Sequence, residues 1–132
     1  NMPRLTAADA KAAGCHKLGI LATDGTLLAE TYQIACRDIG LEWAAPSEQA
    51  QKGIMSIIYD EIKQGKRVDM QLFNAAVDDL HAQGCDMAVL GCTELSLVKR
   101  DEHLGPFLID STEVLCKHAM RACGVEPVGF ED

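Results

Sequence analysis

Long hydrophobic runs are missing from this sequence. No apolar stretch exceeds a few residues, which is too short to cross a bilayer, and no segment reads as a signal peptide. Basic residues are also scarce. Twelve Lys and Arg stand against twenty Asp and Glu, for a formal net charge of −8. No basic run is longer than Lys99-Arg100. That balance argues against nucleic acid or an anionic membrane as partner. A small anionic substrate stays compatible, because one buried lysine can override the global sign. The six cysteines, Cys15, Cys36, Cys85, Cys92, Cys116 and Cys123, include no C-x-x-C pair and no zinc-type spacing with histidine, so no metal site is assigned. A disulfide framework suits small, loop-rich secreted chains, whereas this one reads as helix-rich and well cored. Reduced thiols and a cytoplasmic location are the expectation. Repeats and low-complexity segments are absent as well.

What is present fits one soluble domain. The chain has 132 residues, 48% of them hydrophobic and 24% charged, enough for a single core. Short apolar runs alternate with longer segments of helical period. Strands are expected within residues 17–23, at 41–45, at 87–90 and at 107–109. The first helix is expected to open on a capping box at Thr6-Ala-Ala-Asp9 and to stop at Gly14. The second carries Leu28, Tyr32, Ala35 and Ile39 inward and ends at Gly40. Ser47 is expected to cap a third, striped by Ala50, Ile54, Ile57, Ile58 and Ile62. Asp69 caps a fourth, with Phe73, Ala76, Val77 and Leu80 inward. A short helix begins at about Leu95. Ser111 or Thr112 caps the last, with Leu115, Ala119 and Ala122 inward.

Strands of this length between longer helices call for an α/β fold, a four-stranded parallel sheet flanked by helices in a flavodoxin-like order. Residues 1–124 form the domain and 125–132 a loose tail. Right-handed crossovers place the loops after the first and third strands on one edge. Thr23-Asp-Gly-Thr26 and Cys92-Thr-Glu94 then face each other across a crevice.

Met87-Ala-Val-Leu-Gly-Cys-Thr-Glu-Leu95 holds the candidate reacting group. A cysteine taken at random is more often a small inert packing residue. Cys92 differs by position: it leaves a strand at its C-terminal end and leads into a helix, where backbone N–H groups lower a thiol's pKa. The other five cysteines lack that setting. Glu94 is able to bond a substrate amine or steer a proton; alone, it reads more simply as an acid favoured in a first helical turn. Thr93 flanks the thiol. Thr23 and Thr26 offer hydroxyls and N–H groups to an anion, although the turn is no P-loop. Lys63 has two readings, a carboxylate clamp and an ordinary helix-end cation, the second being the safer from the residues alone. His16, His81, His103 and His118 share no spacing and are assigned no role.

In order along the chain, Leu21-Ala-Thr-Asp-Gly-Thr26, Ile58-Tyr-Asp-Glu-Ile-Lys-Gln-Gly65 and Leu90-Gly-Cys-Thr-Glu-Leu95 resemble the aspartate/glutamate racemase family. The likeness runs from about residue 5 to residue 124. It implies a racemase that works without pyridoxal phosphate or any other cofactor, on an amino-acid substrate. It further implies that Cys92 is the second of two acid/base thiols, that Thr23, Thr26 and Lys63 hold the substrate carboxylate, and that Thr93 and Glu94 line the site. Family members with Gly-Cys-Thr-Glu are closer to aspartate and broad-specificity racemases, since glutamate racemases usually carry His at the place of Glu94. The family is built of two pseudo-symmetric halves, each with one cysteine, and only the second is matched: no cysteine here is followed by Asn-Thr. The chain, with its odd start at Asn1-Met2, is therefore expected to be cut from a longer enzyme, to need an N-terminal half as partner, to be inactive alone and to self-associate. Maleate isomerases, hydantoin racemases and arylmalonate decarboxylases share the architecture and are the nearest alternatives. A non-catalytic ligand-binding module is the alternative from another class.

Overall fold

The computed structural model describes residues 2–102 and 104–127. Four strands, β1 (Lys17–Leu21), β2 (Glu42–Ala44), β3 (Met87–Leu90) and β4 (Leu108–Asp110), form one sheet in the order β2-β1-β3-β4, each neighbouring pair parallel. Helices precede, connect and follow the strands: α1 (Met2–Ala12), α2 (Asp24–Leu28), α3 (Thr31–Asp38), α4 (Glu48–Ser56), α5 (Met70–Ala82), α6 (Thr93–Glu102) and α7 (Ser111–Ala122). This is the parallel α/β arrangement that the alternation of segments called for.

A sheet covered on both faces has apolar strands without strict alternation. Leu18, Ile20 and Val89 pack with Ala7 and Ala10 of α1 and with Tyr32, Ala35 and Cys36 of α3. Leu21, Ala88 and Leu90 pack on the opposite face with Ile54, Phe73, Ala76, Leu80 and Leu95. α7 lies against α1. α5 comes close to β1 at Gly19, where a Cβ would stand 2.7 Å from Leu80 Cδ1. Only glycine leaves α5 that seat.

The N-terminal edge of the sheet is tied by one carboxylate. Asp86 accepts from the Cys15 thiol at 3.0 Å, from the Lys17 N–H at 3.0 Å and from the His16 N–H at 2.9 Å. Burial raises the Asp86 carboxyl, but these donors outweigh it and hold the group well below the usual carboxylate range. The Cys15 thiol is pushed up to about 12, by burial first and by Asp86 second.

Several local expectations are corrected. α1 begins at Met2, so Thr6 is interior; it is buried, and its hydroxyl donates to the Met2 carbonyl at 2.8 Å instead of capping. The segment from Leu28 to Ile39 is two helices. Glu30 adopts φ 56, which breaks the helical phase, leaving Tyr32 and Ala35 buried but Leu28 86% exposed. Ser47 makes no side-chain cap; its N–H donates to Asp79 at 2.7 Å. Asp110, not Ser111 or Thr112, caps α7, accepting from the Thr112 N–H at 2.9 Å. Leu115, Ala119 and Ala122 are exposed, and Ser111 and Val114 turn inward. The expected cap at Asp69 forms, and Thr23, expected in a plain turn, instead caps the short helix α2. No helix among the described residues is long and apolar enough to cross a membrane. Residues 128–132 of the expected tail, and His103, lie outside the described residues.

Candidate active site

Two chain segments leave the sheet side by side at its C-terminal edge. Leu21 of β1 is in register with Leu90 of β3, so Thr23 and Cys92 stand equally far beyond the last paired residues. The Gly91 N–H donates to the Leu21 carbonyl at 2.7 Å and extends the pairing by one step. A Cβ at Gly91 would come within 3.0 Å of the Tyr32 ring, 3.1 Å of Ala22 and 3.2 Å of the Leu21 oxygen. Glycine is therefore what lets the two loops and the Tyr32 ring converge. In a parallel sheet of order 2-1-3-4 the gap between β1 and β3 is the switch point, where ligands bind.

Cys92 is half-buried immediately before α6. The helix start acts on the thiol as expected, but the net shift is upward. The N–H groups of Leu95 and Glu94 do pull the thiol down, but burial raises it more, and the Glu94 carboxylate raises it further. The Cys92 thiol is thus harder to ionise than an ordinary cysteine. The carboxylate beside it has two side-chain partners. Glu94 Oε1 lies 3.2 Å from Lys63 Nζ, and Thr93 Oγ1 donates to Oε2 at 3.2 Å. Its own backbone N–H, then Lys63 and Thr93, against some burial, keep Glu94 below the ordinary glutamate range.

Lys63 reaches this edge by an irregular route. After α4 the chain makes a π-helical turn, Ile57–Glu61, and then a 3₁₀ turn, Ile62–Gln64. The Ile62 N–H is shared between the carbonyls of Ile57 and Ile58. One residue is thereby inserted into the helical register, a feature often found where a side chain has to be re-aimed. The Lys63 ammonium also lies 5.0 Å from the centroid of the Tyr59 ring.

The structure joins Thr93, Glu94 and Lys63 in one set of contacts, with Cys92 beside it and its charge coupled to Glu94. Thr23 and Thr26 share the same edge but satisfy each other. Their hydroxyls are 3.0 Å apart, and Thr23 Oγ1 accepts from the Thr26 N–H at 3.2 Å. Among the described residues no hydrogen bond links them to Cys92, Glu94 or Lys63. Their loop is braced from α4, where Gln51 Nε2 donates to the Ala22 carbonyl and to Asp24 Oδ1, each at 2.9 Å.

Sequence reasoning missed a buttress behind Cys92. Ser96 donates to Asp110 Oδ1 at 2.7 Å, and the buried Ser111 hydroxyl donates to the Leu90 carbonyl at 2.9 Å. The phenol of Tyr32, 1% exposed, has no hydrogen-bond partner among the described residues, and burial raises its pKa. The available signal was the polar run Asp110-Ser111-Thr112, which directly follows a strand on the same edge. The remaining thiols are of two kinds. Cys36, pushed up to about 11 by burial, and Cys85, raised for the same reason, join Cys15 in the interior. Cys116 and Cys123 are exposed on α7 and at its end.

Comparison with known proteins gives this geometry a context. An uncharacterised protein from the pnlA 3′ region of Pectobacterium carotovorum subsp. carotovorum is 30% identical over 113 residues, covering 84% of this chain and 75% of that protein. Two solved structures share the fold. One is PH1733, an aspartate racemase homologue from Pyrococcus horikoshii OT3, with TM-score 0.81 and 22% identity over 94% of this chain and 55% of that one. The other is the aspartate racemase of Picrophilus torridus, with TM-score 0.69 and 23% identity over 94% of this chain and 52% of that one. The chain spans about half the length of each of these two structures. The model of the Asp/Glu/hydantoin racemase family matches residues 1–119, most of the chain, and the chain accordingly belongs to that family.

Proposed function

We propose that this chain supplies one half of the active site of a cofactor-independent amino-acid racemase acting on aspartate or a broader set of acidic amino acids. The observation that carries the reading is the contiguous set Cys92–Glu94–Lys63 at the C-terminal edge of β3. It sets a thiol beside an ion-paired carboxylate and cation at the switch point of the sheet.

Racemisation breaks the Cα–H bond on one face of the substrate and forms a new one on the other. The proton removed passes to a thiolate, and the electron pair left on Cα delocalises into the substrate carboxylate. A thiol on the opposite face then donates its proton to Cα. Cys92, made harder to ionise by burial and by Glu94, is suited to the donating role in one direction and, once ionised, to the accepting role in the other. Lys63 is placed to stabilise the carboxylate as it takes up negative charge. Thr23 and Thr26 extend that carboxylate side, and Thr93 holds Glu94 in place. A second thiol is needed across the substrate, and an N-terminal half would supply it.

The test is protection of Cys92 from alkylation. Cys116 and Cys123 are first changed to Ser, because both are exposed and would compete for the reagent. L-aspartate and D-aspartate are each expected to slow iodoacetamide labelling of Cys92, as a site serving both enantiomers requires. Labelling unaffected by either enantiomer would overturn the reading. Polarimetry of L-aspartate with this chain alone is expected to show no loss of rotation, and turnover at the rate of a two-thiol enzyme would refute the half-site assignment.

A further inference from the structure

We infer that Glu94 is an internal occupant of the Lys63 ammonium, displaced by an incoming carboxylate, and that this exchange makes the site favour acids that also carry an amino group. The inference rests on the reading of the site given above and concerns how it discriminates among acids.

The Lys63–Glu94 pair has the geometry of a clamp already filled. Glu94 presents one oxygen to Lys63 at 3.2 Å and the other to the Thr93 hydroxyl at 3.2 Å, as a bound ligand's carboxylate would be presented. The pair is open to solvent, with side-chain exposures of 46% for Lys63 and 26% for Glu94. Solvent-touched pairs of this kind are weakly coupled, so exchange of one carboxylate for another is cheap. Tyr59 supplies the second half of the device. Its ring, 5.0 Å from the ammonium, continues to hold Lys63 when Glu94 leaves.

Charge balance then sets the specificity. A simple dicarboxylate that takes Lys63 releases Glu94 as an unpaired anion beside another anion. An α-amino acid brings its own ammonium, which pairs with the released Glu94 while its carboxylate pairs with Lys63. The amine-bearing acid therefore completes two pairs where its amine-free analogue completes one.

Titration calorimetry of the chain at low ionic strength with L-aspartate and with succinate, the same skeleton without the amine, tests this. Wild type is expected to bind aspartate more tightly than succinate. Glu94→Gln frees Lys63 and is expected to bind succinate about two- to fivefold more tightly than wild type, with the preference for aspartate reduced. Glu94→Asp keeps the charge but shortens its reach; it is expected to share the tighter succinate binding and to retain more of the aspartate preference. Lys63→Met is expected to lose both ligands. If Glu94→Gln binds succinate no better than wild type, or if Glu94→Asp fails to share the gain, Glu94 is not the occupant and the inference falls, while the proposed function stands on aspartate binding. If neither ligand binds any variant, both fall together.

Discussion

Cys92 and Glu94 sit two residues apart at the start of α6, and their charges are coupled. A thiolate at Cys92 is disfavoured by burial and by the neighbouring carboxylate, and favoured by the N–H groups of Leu95 and Glu94. Removing the carboxylate charge takes away one of the opposing influences. Glu94→Gln, in a background with Cys116 and Cys123 replaced by Ser, is expected to move the alkylation profile of Cys92 to lower pH. Rates measured from pH 6 to 10 give the shift, and a profile unchanged or moved upward would show that the carboxylate does not act on the thiol. At this scale the sequence was informative where polar residues follow a strand directly. Cys92, Thr93 and Glu94 were legible for that reason, and Lys63 only through its resemblance to a family pattern. Tyr32 belongs to the apolar stripe its spacing implies, but its buried hydroxyl behind Gly91 depends on contacts between segments far apart in the chain.

Elements were legible where one periodicity and one stop signal agreed. The strands at β1 and β3 and the helix α5, capped by Asp69 and carrying Phe73, Ala76 and Leu80 inward, formed as expected. The failures have specific causes. The left-handed Glu30 cuts a helix whose apolar spacing continued through it. The π turn at Ile57–Glu61 changes register without any Pro or Gly to announce it. α7 packs on α1 as well as beside β4, so a spacing rule alone could not say which side faced inward. The seat of α5 on β1 offers a clean test of element packing. Gly19→Ala pushes a methyl into Leu80, which is fully buried and has little room to move, and is expected to cost about 1–3 kcal/mol. Leu80→Ala leaves a cavity and is expected to cost about 2–5 kcal/mol. Because each change relieves the other, the double variant should be more stable than the sum of the two, by about 0.5–3 kcal/mol. Urea denaturation of the four proteins measures the cycle, and strict additivity would place α5 elsewhere.

Across the whole molecule, the two edges of the sheet differ in what they carry. The C-terminal edge holds Cys92, Glu94 and Lys63. The N-terminal edge holds Asp86, which bonds the entry to β1 from the entry to β3. Asp86 has a depressed pKa in the folded chain, so its contribution to stability is complete above the unfolded value of about 4 and declines as pH falls toward the folded one. Wild type is expected to lose stability below pH 4 more steeply than Asp86→Asn, whose side chain does not titrate, while being the more stable of the two at pH 7. Thermal melts at pH 7, 4 and 3 test this, and parallel losses in both proteins would assign the acid sensitivity to other carboxylates. The fold class at this scale was legible from the alternation of segments, because a parallel sheet has few ways to be wound.

The carboxylate at Asp86 has an effect on what the scaffold can become. Anchorage at one pole leaves the opposite rim free to vary, since the fasteners that align the two central strands are a full strand length from positions 23–28 and 92–94. Descendants of this chain can trade those rim residues for new substrate tastes without having to reinvent the frame that carries them.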